Sequence, residues 1–167
     1  MILYHGSYLA IENPLILRTN IGRDFGPAFY VTDIQEQAER WAIRKTRILN
    51  QRGQTDCAPT ISVYQFDAEQ ARNSLNWVDF PTADLGWLEM ILSCRQNSGF
   101  SHGYDIVSGK IADDSVGATV TYVMRGIMRK EDALEQLKFQ KINSQIAFCT
   151  QRVLSFLTFQ ECYYLEG

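Results

Sequence analysis

Residues 24–32 read DFGPAFYVT, and this stretch combines an irregular loop with a short strand. Gly26 and Pro27 suit the loop, because glycine tolerates left-handed backbone and proline has a fixed φ angle. The aromatic and β-branched run Phe29–Thr32 then predicts a strand. Upstream, Met1–His5 is an apolar run that ends at a Gly-Ser pair and predicts an earlier strand entering a turn.

A helix is predicted directly after the Phe29–Thr32 strand. Thr32 or Asp33 can cap its first turn, and Glu36 lies three residues after Asp33, as a capping box requires. The residues expected to share one face are Ile34, Ala38, Trp41, Ala42, Lys45, Ile48 and Leu49. We expect Trp41 to lie in the core, and we expect the same of Trp87 further along the chain.

The rest of the chain alternates short strands with helices of unequal length. Strands are predicted at Ile61–Phe66, Tyr104–Val107, Gln145–Cys149 and Thr158–Leu165, and helical segments at Asp67–Leu75, from near Thr82 to before Gly99, at Asp113–Met124, Lys130–Lys141 and Thr150–Leu157. This pattern is not a regular βαβ alternation, so it predicts a mixed α+β fold. Because no segment has a linker-like composition, residues 1–167 are expected to form a single domain.

Composition and charge exclude several functions. The 167 residues are 46% hydrophobic, and 16 Lys and Arg against 19 Asp and Glu give a net charge of −3. This balance disfavours nonspecific nucleic-acid binding, which needs clustered positive charge. The GxGxxG and GxxxxGK cradles for dinucleotides and triphosphates are absent. Asp24-Phe25-Gly26 matches a kinase magnesium triplet, but we reject that interpretation because no Gly-rich loop, strand lysine or His-Arg-Asp precedes it.

Cysteine and histidine usage predicts a reduced chain without a metal site. The four cysteines are scattered, and no CxxC pair accompanies the two histidines, His5 and His102. Cys149 is not expected to be a nucleophile, since nothing in the sequence places a histidine near it. We find no signal-type N-terminus and no apolar stretch of about 18 residues, so we expect a cytoplasmic location and no membrane partner.

Three separated segments resemble the motifs of the ADP-ribosyltransferase superfamily, in its branch with a His-Tyr-Glu signature. They are residues 3–7 (LYHGS), residues 24–32 and Gln145-Ile146. Residues 104–109, 112–114 and 145–159 are similar to an uncharacterised bacterial family assigned to this superfamily. The resemblance covers nearly the whole chain and implies a split antiparallel β-sheet core flanked by helices.

The resemblance implies that NAD is the substrate and that His5, Gly6, Ser7, Tyr30 and Thr32 bind it. His5 would hydrogen-bond a ribose hydroxyl, and the Gly6 backbone would approach the nicotinamide amide closely because it has no Cβ. Ser7 would add a hydroxyl contact, and the Tyr30 ring would stack on nicotinamide. Such a site must grip both ends of NAD, because the bond to nicotinamide breaks with oxocarbenium character.

At the third motif the sequence departs from this pattern, because Gln145 stands where a glutamate is usual. Glutamine keeps the hydrogen bond to ribose but supplies neither negative charge nor a base. Three alternatives follow: Gln145 suffices for an acceptor that is already nucleophilic, Asp114 or Asp113 brings the carboxylate, or the chain binds NAD without turnover. The two aspartates are equally explained as a helix cap. We therefore predict Gln145, Tyr30 and Asp114 as catalytic, in preference to Glu161 or Glu166, which do not open a strand.

The leading hypothesis is an NAD-dependent mono-ADP-ribosyltransferase that acts as a toxin or effector. Its partners would be an acceptor, first of all a protein, and a small antitoxin. The alternative is a catalytically silent nucleotide-binding or protein-interaction module, and the acidic balance disfavours a third hypothesis, an RNA-modifying transferase. A basic cluster, Arg40, Arg44, Lys45 and Arg47, is interpreted as a solvated helix face, with pyrophosphate binding as the alternative.

Overall fold

A computed structural model describes residues 1–17, 23–53, 57–97, 99–110, 114–138 and 144–165. The strands are β1 (Ile2–Ser7), β2 (Phe29–Val31), β3 (Thr60–Phe66), β4 (Trp77–Phe80), β5 (Ile106–Lys110), β6 (Ser144–Phe148) and β7 (Leu157–Tyr164). The helices are α1 (Gln35–Gln51), α2 (Ala68–Ser74), α3 (Leu85–Gln96), α4 (Asp114–Met124) and α5 (Lys130–Leu137), and a 3₁₀ helix spans Gln151–Phe156.

The strands form two sheets. Sheet I has the order β1-β3-β7 and is antiparallel throughout. Sheet II has the order β2-β6-β5-β4, with β4 and β5 parallel and the other neighbours antiparallel. An isolated bridge joins the sheets where the Tyr4 N–H donates to Thr32 O at 2.8 Å and the Thr32 N–H to Tyr4 O at 3.0 Å. The predicted α+β class is confirmed, with mostly antiparallel sheets.

Apolar burial arranges the sheets and helices in layers. One cluster holds residues from both sheets, which pack together through Leu3, Phe29, Val31, Tyr64, Phe66, Ile106, Ile146 and Phe148. Helix α1 packs on sheet I through Ala38 and Ala42, which contact Ile61 and Val63 of β3. Helices α3, α4 and α5 cover sheet II, with Trp87 fully buried in that cluster. The Tyr4–Thr32 bridge between β1 and β2 therefore lies where the two sheets meet, a place here called the seam.

The start of α1 corrects the capping prediction. Ile34 is the N-cap residue and no side chain caps the first turn. The Ile34 N–H instead donates to Thr32 Oγ1 at 3.1 Å, so Thr32 fixes the entry to the helix and Asp33 does not cap it. The predicted apolar face is also partly wrong, since Trp41 is 50% exposed and the buried positions are Gln37, Ala38, Ala42 and Thr46.

Three further boundaries differ from the sequence-based expectations. Strand β4 was not predicted, because it has only four residues and one of them, Asp79, is of a type disfavoured in strands. Helix α3 begins at Leu85 rather than near Thr82, because Asp84 Oδ1 accepts a hydrogen bond from the Trp87 N–H at 2.9 Å and caps it. The strand expected at Tyr104–Val107 lies at Ile106–Lys110.

Candidate functional site

His5 lies on β1 beside β2 and is half-buried. Its Nδ1 lies 2.7 Å from the Tyr30 backbone oxygen, and its ring stacks on Phe29 with centroids 4.5 Å apart. Because a carbonyl only accepts, Nδ1 carries the proton and Nε2 of the neutral ring is an acceptor. Burial lowers the pKa of His5 to about 4; the bond to Tyr30 opposes that shift, and Lys45 and Arg23 add to it.

Tyr30 on β2 presents a ring and a fully engaged hydroxyl. The hydroxyl donates to Gly26 O at 2.7 Å and accepts from the Phe25 N–H at 3.1 Å. Burial raises the pKa of the phenol well above its usual range. The guanidinium of Arg23 lies over the ring, 5.7 Å from its centroid. Tyr30 is therefore suited to stacking and to holding a loop, not to proton transfer.

Residues 23–28, here called the site loop, are fixed from several directions. Phe25 is fully buried in the core of sheet II. Gly26 has a φ of +77°, a conformation that favours glycine. His102 Nδ1 accepts from the Tyr104 N–H at 3.1 Å, so its Nε2 donates to Phe25 O at 3.2 Å. The loop is thus a built part of the site.

Gln145 is the second residue of β6 and contacts the site loop. Its Nε2 lies 3.4 Å from Asp24 Oδ2, and the residue is only 8% exposed. Arg95, in the last turn of α3, binds Asp24 Oδ1 through Nε at 2.9 Å and Nη2 at 2.5 Å. The side chains of Asp24 and Arg95 are 11% and 19% exposed. Gln145 therefore has a carboxylate beside it after all, from the site loop.

Gly6 and Ser7 contact helix α1. A Cβ on Gly6 would lie 2.1 Å from the carbonyl oxygen of Ala38, so this glycine is required by helix packing. Its backbone contact with nicotinamide stays a prediction. Ser7 is 2% exposed, and its Oγ accepts from Lys45 Nζ at 3.3 Å.

The other predicted residues have different surroundings. Thr32 Oγ1 donates to Ser144 O at 3.1 Å, so its hydroxyl is committed to joining β2 and β6. Asp114 begins α4, but its side chain lies outside the described part of the structure, as do Asp113 and Glu166. Glu161 is exposed on β7, opposite Val63 in sheet I.

Cys149 also fits the expectation that it is not a nucleophile. Burial raises the pKa of its thiol to about 12, and its Sγ donates to Ala147 O at 3.4 Å. A thiol with this pKa is almost entirely protonated at neutral pH, so little thiolate is present.

Sequence reasoning missed three charged residues of this site, Arg23, Asp24 and Arg95, and it gave Lys45 a pyrophosphate contact only as the alternative. Lys45 is half-buried rather than on a solvated face, and burial together with Arg23 lowers its pKa. Lys45 and Arg23 both act on His5, so positive charge converges there. Asp24 and Arg95 meet across 71 residues of sequence. For Lys45 the available signal was its place on the predicted inner helix face; Arg95 carried none.

An open depression of about 490 Å³ lies away from this site and is lined by Ile2, Tyr4, Gln35, Val63, Gln160, Glu161 and Tyr163. Among the described residues, no group of three or more His, Cys, Asp or Glu is placed to hold a metal ion. Within the same ranges, no helix has the length and apolarity needed to cross a membrane.

Comparison with known families gives one match, which covers almost the whole chain. A family model described as "Protein of unknown function (DUF3990)" matches residues 1–159. The chain belongs to this family. The DUF3990 match includes β1, the site loop, Gln145 and the start of β7. No curated protein matches the chain.

Proposed function

We propose that this chain is an NAD-dependent mono-ADP-ribosyltransferase that modifies a macromolecular acceptor, with protein as the first class to test. The observation that carries the proposal is the hydrogen bond between His5 Nδ1 and Tyr30 O. It places the first two motifs beside each other at the seam between the sheets. The site loop then links Tyr30 to Gln145, the third motif.

Each side chain has a role that its chemistry allows. His5, neutral and donating through Nδ1, offers Nε2 to a ribose hydroxyl. The Tyr30 ring stacks on nicotinamide once Arg23 moves off its face. Arg23 and Lys45 supply positive charge for the pyrophosphate. Gln145 accepts a hydrogen bond from the nicotinamide ribose.

The fold and the biological role belong to the same proposal. We take the two sheets joined at the Tyr4–Thr32 bridge as the split β-sheet core of an ADP-ribosyltransferase. The role of toxin or effector, with a small antitoxin as partner, rests on the resemblance alone.

A second candidate is a catalytically silent nucleotide-binding module. It is favoured by Gln145, which cannot carry negative charge or accept a proton as a base. On this alternative the residues around His5 and Tyr30 bind NAD and no bond is broken.

The test uses NAD labelled in the adenylate phosphate, incubated with purified protein and a cell extract. We expect the wild-type protein to label an acceptor, and His5→Ala and Tyr30→Ala to lose at least about tenfold of that transfer. Tyr164→Ala is the matched control, because Tyr164 is 66% exposed on β7. Thermal unfolding of each variant separates loss of the site from loss of the fold.

Calorimetric titration with NAD distinguishes the two candidates. Binding that Tyr30→Ala abolishes, without transfer, supports the silent module. A wild-type protein that neither binds NAD nor transfers label contradicts both.

A further inference from the structure

The contact between Gln145 and Asp24 fixes which way the amide points. A carboxylate only accepts hydrogen bonds, so the Gln145 atom beside Asp24 Oδ2 is the Nε2 donor. Oε1 is then on the other branch of the amide, and within the described ranges no hydrogen bond occupies it. Among the described residues, this acceptor oxygen therefore has no hydrogen-bond partner.

The ion pair behind Gln145 is oriented as well. Both nitrogens of Arg95 that reach Asp24 bind the same oxygen, Oδ1. Oδ1 is therefore the oxygen paired with Arg95, and Oδ2 is the oxygen beside Gln145. With both side chains largely buried, this pair places its negative end next to the amide in a region of reduced dielectric.

We propose that Asp24 is a positioning residue of this site, which orients the Gln145 amide toward the ribose and supplies the negative charge that glutamine lacks. The inference rests on the proposed function. It assigns the negative charge of the usual glutamate to Asp24 in the site loop. The carboxylate is then still present in the site, but it comes from the loop and not from position 145 on β6.

The same geometry explains why glutamine suits position 145. A glutamate there would set a second carboxylate at the 3.4 Å separation now spanned by an amide and Asp24. Like charges this close cannot both ionise readily, and the hydrogen bond would need an extra proton. Gln145 with Asp24, or a glutamate with a neutral residue 24, are the two compatible combinations.

The decisive experiment is a four-protein cycle of wild type, Asp24→Asn, Gln145→Glu and the double variant. Transfer of labelled ADP-ribose gives kcat and KM, and calorimetry gives NAD affinity. We expect Asp24→Asn to lower kcat about tenfold or more, with NAD affinity changed less than about threefold. We expect Gln145→Glu to gain nothing by itself, and the double variant to recover most of the kcat that Asp24→Asn loses.

Two further variants keep the result interpretable. Asp79→Asn is the matched control, because Asp79 also pairs with an arginine, Arg72, but on the exposed edge strand β4. If Asp24→Asn fails to fold because Arg95 is left unpaired, Asp24→Asn with Arg95→Gln removes both charges together. The cycle then compares wild type, the Asp24→Asn/Arg95→Gln pair, Gln145→Glu and the triple variant.

A readout independent of turnover is the side-chain NH₂ resonance of Gln145 by NMR. We expect its chemical shift at pH 7 to change in Asp24→Asn and to stay at the wild-type value in Asp79→Asn. A double variant no more active than Asp24→Asn, or a Gln145 resonance indifferent to Asp24, overturns this inference. The proposed function survives either result, and it fails if the wild-type protein transfers no label to any acceptor.

Discussion

At the scale of single residues, desolvation decides the protonation state of His5. The ring is held neutral because burial lowers its pKa to about 4, with Lys45 and Arg23 acting in the same direction. In the unfolded chain the pKa of histidine is about 6.5. Between pH 4 and pH 6.5 the unfolded chain binds the proton more strongly than the folded protein does. The free energy of unfolding therefore decreases as the pH falls.

The prediction is a pH-dependent loss of stability caused by His5. The contribution of the neutral His5 ring to the free energy of unfolding is complete above pH 6.5. It is lost progressively down to about pH 4, where the ring titrates in the folded protein. Because the ring is only half-buried, we expect about 1–2 kcal/mol of this loss by pH 5. Urea unfolding of wild type and His5→Gln from pH 8 to pH 5 measures it, and parallel pH profiles for the two proteins would refute it.

The sequence predicts some residues of the site better than others. His5 and Tyr30 lie in short motifs on neighbouring strands, so their proximity follows from local pattern and resemblance. The contact between Asp24 and Gln145 joins residues 121 positions apart. It depends on Arg95, which lies in the last turn of α3 and binds Asp24. Asp24 stood inside a triplet rejected as a kinase motif, and no property of the triplet indicated its partner.

At the scale of secondary-structure elements, Gly6 determines how closely β1 and α1 approach. The backbone of α1 occupies the space beside its missing Cβ, and the contact of the Gly6 backbone with nicotinamide stays a prediction. Local strand and helix patterns were readable from the sequence, but side-chain burial on α1 depended on this close contact. It buries Ala38 and Ala42 and leaves Trp41 at the surface, beside Arg44.

We predict that Gly6→Ala destabilises the protein by about 2–3 kcal/mol, because the new methyl group meets backbone that cannot move aside cheaply. The matched control is Gly86→Ala in the first turn of α3, where a Cβ meets nothing closer than 3.5 Å. That variant should be neutral or slightly stabilising, since alanine favours helix. Thermal and urea unfolding provide the comparison, and equal stability of the two variants would contradict the prediction.

At the scale of the whole molecule, Asp105 connects the end of sheet II with the segment that leads into sheet I. It is 4% exposed and accepts from the Asn76 N–H at 3.0 Å, Thr150 Oγ1 at 2.7 Å and Arg152 Nε at 2.9 Å. Burial alone would raise the pKa of Asp105, but these donors outweigh it and hold the pKa below its usual range.

We predict that Asp105→Asn lowers the free energy of unfolding by about 2 kcal/mol, because buried donors lose a charged acceptor. The stabilisation from Asp105 is present above the unfolded pKa of about 3.9 and is lost as pH falls through the lower folded value. Asp132→Asn, in an exposed pair with Arg129, serves as the control and should leave stability unchanged. Urea unfolding at pH 7 tests both, and a silent Asp105→Asn would count against this connection.

The parallel pairing of β4 with β5 determines which elements must occur together for this site to form. Neighbouring strands that run the same way need a crossover, and α3 provides it. Arg95 is thereby delivered from the β4 edge of sheet II to Asp24, which precedes β2 at the opposite edge. If β6 were transferred to another protein, the Gln145 amide would lack the Asp24 carboxylate and the Arg95 guanidinium that orient it. A lineage that installs glutamate at position 145 while Asp24 is still present passes through a self-repelling intermediate.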